Sequence, residues 1–166
     1  MRIAAAPLAL LVAACGLQPM YAGGGSGAVA RGLASVEVAP IEGRAGWLVR
    51  YALMDRLEAG NGSNAARFRL DVRLDDRLEG FALLSDDTIG RERRTLRARY
   101  QLVDLATGKI VLDDSAASDA GIDVVSSDYA TIAAERSALE NLATDVANRI
   151  VTSVSLELRG TGPGQP

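Results

Sequence analysis

Arg67-Phe68-Arg69-Leu70-Asp71-Val72-Arg73-Leu74-Asp75 alternates without a break: Phe68, Leu70, Val72 and Leu74 each fall between charged neighbours. Period-two spacing places the apolar side chains on one side of an extended backbone and the charges on the other. It predicts a strand with one buried and one wet face. The pattern returns at Leu96, Ala98, Tyr100 and Leu102, set against Arg93, Thr95, Arg97, Arg99 and Gln101. Asp104-Leu105-Ala106-Thr107-Gly108-Lys109 then offers hairpin chemistry, because Gly108 tolerates a positive φ, and it leads into a third strand at Ile110-Val111-Leu112.

Upstream, Val36 to Ile41 reads as a short strand limited by Pro40, which has no N–H to give a ladder. Arg44 to Ala59 reads as a helix closed by Gly60-Asn61-Gly62. Downstream, residues 113–127 read as a polar, acidic loop, after which Asp128 caps a long helix. The stripe of that helix is Ile132, Leu139, Leu142, Val146, Ile150, Val154 and Leu158, spaced mainly by three and four. The order is β-α-β-β-β-α. The expected fold is α+β: a two-layer sandwich in which a four-stranded mixed or antiparallel sheet carries two helices on one face and leaves its charged face free.

A single domain is expected over residues 33–159, an ordinary length for one hydrophobic core. The flanks read differently. Residues 160–166 are Gly- and Pro-rich and read as a flexible tail, while residues 15–32, with Gly23-Gly24-Gly25-Ser26-Gly27, read as a flexible tether. Residues 1–14 begin with Arg2 and continue as an uncharged run from Ile3 to Ala14, too short for a span of about 20 residues but matched to a signal peptide. Val12-Ala13-Ala14-Cys15 fits a bacterial lipobox, in which the thiol is acylated and the chain is cut before Cys15. An ordinary signal peptide with a chance Cys is the alternative. Acyl chains add about 0.8 kcal/mol per buried methylene, so two or three of them fix a protein to a membrane. Cys15 is therefore the expected lipid anchor.

Composition narrows the chemistry. The chain has no His and one Cys, which removes the usual general base, the commonest zinc ligand, any disulfide and, once acylated, a thiol nucleophile. No GxSxG, Walker A or GxGxxG motif stands between a strand and a helix. Asp75-Asp76, Asp86-Asp87 and Asp113-Asp114 are paired carboxylates, but adjacent strand residues point to opposite faces, so such pairs mark strand ends and turns. The expectation is a protein that is not an enzyme and needs no cofactor or metal.

Arginine is the strongest signal. Nine of the 17 Arg lie between Arg67 and Arg99, against one Lys in the whole chain. Arg67, Arg69, Arg73, Arg77, Arg91, Arg93, Arg97 and Arg99 are expected to line up across neighbouring strands, partly neutralised by Asp71, Asp75, Glu79 and Glu92. The plain reading is a solvated sheet face. The sharper one is a site for phosphate, since guanidinium groups fork onto phosphate oxygens and opposed like charges disfavour a sheet unless a partner absorbs them. Nucleic acid is a poor fit as partner of an exported protein; an anionic lipid or sugar phosphate fits better. Two apolar features stand apart from the core pattern. Phe81-Ala82-Leu83-Leu84 reads as an apolar tip between the charged strands that either folds back on the core or meets a partner, and Trp47, Tyr51 and Met54 form a second stripe on the first helix, which core packing or docking into a partner would explain.

Cys15-Gly16-Leu17-Gln18-Pro19-Met20-Tyr21 resembles the CGFxPLYG start of the lipopolysaccharide-assembly lipoproteins, the LptE family. Leu17 and Met20 replace the commoner Phe and Leu, and Ala22 stands where Gly is usual. The order of elements, with a hairpin before a long last helix, is similar over most of the chain. The resemblance implies a lipid-anchored protein on the periplasmic face of the outer membrane, plugging and helping to assemble the β-barrel translocon LptD and engaging lipopolysaccharide. Candidate phosphate-binding residues are then Arg91, Arg93, Arg97 and Arg99, with Arg67, Arg69 and Arg73; candidate partner contacts are Trp47, Tyr51, Phe81 and Leu83. The alternatives are an auxiliary lipoprotein of an ABC- or MCE-type lipid transport system and, in another class, a peptidoglycan-modifying enzyme.

Overall fold

The computed structural model describes residues 28–57, 65–83 and 89–160. Alternation decides its centre. β2 (Phe68–Leu83) and β3 (Ile89–Asp104) pair antiparallel with Leu70 opposite Leu102 and Leu74 opposite Ala98, so their apolar residues share one face. β4 (Ile110–Asp123) pairs antiparallel with β3, and the short β1 (Val36–Val38) lies parallel to β2, with Val36 opposite Phe68. The sheet order is β1-β2-β3-β4, a mixed sheet as expected. The β3–β4 turn is built as its sequence suggests. Asp104 Oδ1 accepts from the Ala106 and Thr107 amides at 2.9 Å, and Gly108 sits at φ 69°.

Two helices cover the apolar face. α2 (Gly43–Leu57) contributes Val49, Leu53 and Leu57, and α3 (Asp128–Gly160) contributes Leu142, Val146, Ile150 and Val154. With Leu70, Leu96, Tyr100 and Leu102 from the sheet, these form one core cluster. Burial of each such side chain is worth about 1.5–3 kcal/mol. Polar struts cross the layers as well. Tyr100, buried among the core residues, donates its hydroxyl to Asp114 Oδ2 at 3.2 Å, and Ser153 of α3 donates to the same oxygen at 3.2 Å. At the entry to α2 the backbone comes very close to the segment before it. A Cβ on Gly46 would lie 2.6 Å from the Ile41 carbonyl oxygen, so glycine is needed there.

Four differences from the sequence reading have physical causes. Residues 113–123 are strand, not loop: their inward side chains are small, with only Ala116 and Ile122 buried, and the pairing is imposed by β3. Residues 28–33, assigned by composition to the tether, form a helix, α1 (Ala28–Leu33). It is held in place by packing rather than by its own length: Leu33 is buried, and Leu158 of α3 reaches within 3.4 Å of where a Cβ on Gly32 would sit. Ile132 is 45% exposed, so the buried stripe of α3 begins only at Leu139. The strands of the central hairpin also run further than alternation alone marks, with Leu83 reaching Ile89 through irregular pairing after Gly80. Residues 1–27, which hold the signal segment, Cys15 and most of the tether, lie outside the described residues, as do residues 161–166. No helix among the described residues is long and apolar enough to cross a membrane.

Candidate functional site

The face of the sheet opposite the helices is charged from end to end. Odd-numbered residues of β2, β3 and β4 point there, and the register sets them in rows. Asp71, Gln101 and Asp113 form one row; Arg73, Arg99 and Ser115 the next; then Asp75, Arg97 and Ala117; then Arg77, Thr95 and Asp119; then Glu79, Arg93 and Gly121. Arg91 lies opposite Asp123 at the far end, and Arg69 lies beside Glu37 of β1 at the near end. The expectation that arginines line up across strands is overturned by this register. Only Arg73 and Arg99 oppose each other directly, and most of the others meet an acid or a neutral side chain. Glu92, expected to neutralise this face, points to the opposite one: it is two and four residues from Arg94 and Leu96 and shares their side.

Ion pairs follow the rows. Arg69 forks onto Asp71 at 3.0 Å and Arg77 onto Asp75 at 3.0 Å, and each pairing raises the arginine pKa through the hydrogen bond to its carboxylate. Arg91 bonds Asp123 at 2.8 Å, Arg99 reaches Asp113 at 3.3 Å, and Arg93 lies 3.9 Å from Asp119. The Asp113 pKa is lowered by the Gln101 amide and by Arg99. Arg67, just before β2, is occupied elsewhere, 4.9 Å over the Phe68 ring and 3.9 Å from Asp104. The guanidinium groups of Arg73 and Arg97 make no ion pair among the described residues, although both side chains are exposed. Arg73, Arg97 and Arg99 thus lie together as a local cluster on a described face whose arginines and carboxylates balance overall.

Next to that cluster is an open groove of about 830 Å³. Ala39, Pro40, Ile41 and Glu42 form one wall, and Asp71, Arg73, Arg99 and Gln101 supply the polar floor. The groove exists because β1 stops after Val38. Ala39 N gives the last rung to Leu70 O at 3.0 Å, and the chain then leaves the sheet for α2. The groove sets the guanidinium groups of Arg73 and Arg99 and the Gln101 amide beside Ala39, Pro40 and Ile41, with the carboxylates of Glu42 and Asp71 in the same lining.

The other sequence candidates are scattered. Trp47 and Tyr51 lie on the outer side of α2, 64% and 67% exposed, with rings stacked at 5.7 Å and 17°. They lie on the helical layer and are not part of the groove lining. Phe81 and Leu83 belong to the end of β2, where their backbones are described but their side chains are not. Cys15 lies outside the described residues. One arrangement escaped the sequence reading altogether. Arg94, on the inner face, binds Asp76 at 2.7 Å and donates to the Glu135 carbonyl of α3 at 3.2 Å, pinning the far end of the sheet to the helix. Counting back by twos from Leu96 reveals its orientation. Among the described residues, no group of three or more potential metal ligands occurs.

The family model described as "LptE: Lipopolysaccharide-assembly" matches residues 33–154. Among solved structures, the chain is similar to a Caulobacter crescentus protein described as a lipoprotein, at 26% identity and TM-score 0.69, over 83% of this chain and 100% of that one. It is similar to the rare lipoprotein B of Shewanella oneidensis at 14% identity and TM-score 0.58, over 76% and 98% of the two chains. A minor lipoprotein of Acinetobacter baumannii matches at 15% identity and TM-score 0.57, over 80% and 97%. The last two likenesses concern the fold alone. No curated protein matches the chain.

Proposed function

The chain belongs to the LptE lipopolysaccharide-assembly family, and from that membership we propose that it is an outer-membrane lipoprotein. In this reading it is fastened at the periplasmic face through acyl chains on Cys15. It plugs and helps to assemble the LptD β-barrel that delivers lipopolysaccharide to the cell surface. It performs no bond chemistry. Its contributions are shape, from a sheet stiffened by two helices, and charge, from the bare sheet face. The observation that carries the ligand part is the Arg73–Arg97–Arg99 group, whose first two members lack an acid partner among the described residues, beside the groove walled by Ala39–Glu42. Forked guanidinium groups there would hold lipid A phosphates while the apolar wall meets acyl chain or sugar. The exposed Trp47–Tyr51 pair supports a partner contact on the helical side, since stacked aromatics give large rigid contact area at low entropic cost.

Two experiments separate these parts. Purification of the tagged protein from detergent-solubilised membranes should bring down an outer-membrane β-barrel. Recovery of transporter or MCE-type proteins instead would overturn the barrel partnership. Charge reversal at Arg73 and Arg97 should lower lipopolysaccharide binding and raise outer-membrane permeability while leaving barrel recovery intact. Unchanged binding and permeability would remove the ligand role and leave the plug role standing.

A further inference from the structure

One end of the domain gathers apolar and basic side chains that neither the core nor the groove uses. Its last row of main-chain bonds joins Ser35 O to the Arg67 amide at 2.9 Å and Arg67 O to the Leu105 amide at 2.9 Å. The β3–β4 turn and the last turn of α3 close the same end, and α1 packs there against Leu158. Leu105, Ile110 and Leu156 lie on it, all between 43% and 55% exposed. Leu105 and Ile110 flank the turn. Leu156 follows Ser153 by three residues, on the flank of α3 that meets Asp114 of β4. Lys109, the only lysine of the chain, and Arg159 are exposed at this end and make no ion pair among the described residues. Asp104 is partly buried and held by the turn amides, and Glu157 is only partly exposed.

The opposite end, about 50 Å away along β2, is apolar too but has the other charge. Leu78, Val125, Tyr129 and Ile132 are exposed there. Glu79 and Asp128 are exposed at the same end, while Arg91 and Arg93 are already beside Asp123 and Asp119. An anionic surface would therefore repel the far end and attract the near one. The near end is also where the chain arrives from Cys15. α1 is only about 9 Å long, and residues 15–27 can span at most about 45 Å whatever path they take.

We propose that the anchored protein, before it meets its barrel, stands with this near end against the surface of an anionic bilayer. Leu105, Ile110 and Leu156 enter the boundary between headgroups and acyl chains, and Lys109 and Arg159 meet lipid phosphates. Three side chains are too few to hold a free protein on a membrane, but a lipid anchor makes the contact intramolecular, so a weak patch suffices. The strands then rise from the membrane. The groove begins at Asp71, four residues above Arg67 and so about 13 Å from the end, which keeps it in water and open. This orientation rests on the anchor at Cys15 proposed above and not on the barrel partnership.

The test uses the full-length lipidated protein in mixed vesicles of phosphatidylcholine and phosphatidylglycerol. Nitroxide labels are placed at Ala106→Cys in the β3–β4 turn and at Ser126→Cys at the far end, both exposed positions. The Ala106 label should be shielded from a water-soluble nickel chelate and open to dissolved oxygen, and the Ser126 label should be open to the chelate. Lys109→Glu with Arg159→Glu should lower the ratio of docked to undocked molecules about tenfold or more. Vesicles of phosphatidylcholine alone should lower it for the unchanged charges as well. Protein that floats with the vesicles while its Ala106 label stays open to the chelate would overturn the docking and leave the anchor standing. Protein that does not float would overturn both. Equal shielding of the two labels would mean that the body lies flat, and shielding that ignores both charge reversal and lipid charge would remove the electrostatic basis; either result sinks the proposal.

Discussion

The inner and outer faces of β2 and β3 share one backbone and differ in almost everything else. On the inner face Leu70, Leu96, Ala98 and Leu102 are fully buried beneath α2 and α3. On the outer face, Arg69, Arg73, Arg97 and Arg99 are exposed and meet acids, neutral side chains or one another. An inner side chain contributes about 1.5–3 kcal/mol by leaving water, whereas an exposed ion pair contributes about 0–1 kcal/mol. The same alternation that makes the strand therefore separates two duties. One face holds the fold, and the other is free to recognise something without cost to the fold.

The largest effect that would break this division comes from the inner face. Leu102→Ala should destabilise the protein by about 2–5 kcal/mol, read as a fall in the midpoint of denaturant unfolding, because the residue is fully buried and its neighbours are held by two helices. A loss below about 1 kcal/mol would mean that the inner layer collapses around the gap and is not the main source of stability. Arg94 is the intermediate case, a charge on the apolar side. Its side chain is 16% exposed, and its pKa is raised by the hydrogen bond to Asp76. Arg94→Met should cost about 1–3 kcal/mol, since it leaves Asp76 and the Glu135 carbonyl without their donor. The loss should appear first as faster amide exchange in residues 128–138 and at the distal ends of β2 and β3.

How far this division is legible without coordinates depends on whether each element carries its own signal. β2, β3 and the buried part of α3 are legible because their apolar residues recur at the strand or helix period. The β3–β4 turn is legible because Asp104 and Gly108 have the chemistry of that turn. β4 beyond Leu112 is not, because Ala116, Ser118 and Ala120 give its inner side too little contrast and its conformation comes from pairing with β3. Misreading β4 as a loop hid the acids that pair with the arginines, since Asp113, Asp119 and Asp123 become partners only when they lie in register. α1 has six residues, too few for periodicity, and depends on α3. The groove is a consequence of where β1 stops, which the Pro40 signal locates but whose shape only the fold reveals.

Acid should act on the outer face, on the β3–β4 turn and on the Asp114 strut between sheet and α3 before it acts on the apolar core. The pKa of Asp104 is lowered chiefly by the Thr107 amide, and that of Asp114 chiefly by the Ser115 amide and then by the Tyr100 hydroxyl. With Asp113, these carboxyls bind protons less readily when folded than when unfolded. Their contribution is thus complete above the unfolded value, near pH 4, and is lost as pH falls through the folded values. Melting temperature should hold steady from about pH 7 to 5 and decline below about pH 4. Asp104→Asn, which keeps the turn geometry but cannot titrate, should flatten part of that decline. An equal slope in the variant would show that the turn carboxylate is not among the groups responsible.

The smallest expected effect is also the sharpest test of the division. Arg73 is exposed, makes no ion pair among the described residues and faces Arg99 across the strands. Arg73→Ala removes a like-charge opposition and leaves no buried group unpaired, so stability should change by less than about 0.5 kcal/mol, in the stabilising direction. Arg99→Ala should shift in the other direction, because Arg99 also reaches Asp113 at 3.3 Å. The double variant should show coupling between the two sites, being less stable than the sum of the two single changes, because either change alone already removes the same repulsion, while Gln101 continues to donate to Asp113 at 2.8 Å in every variant. If Arg73→Ala instead lowers stability by more than about 1 kcal/mol, the outer face is part of the scaffold, and an unpaired arginine there cannot be read as a group kept for a ligand.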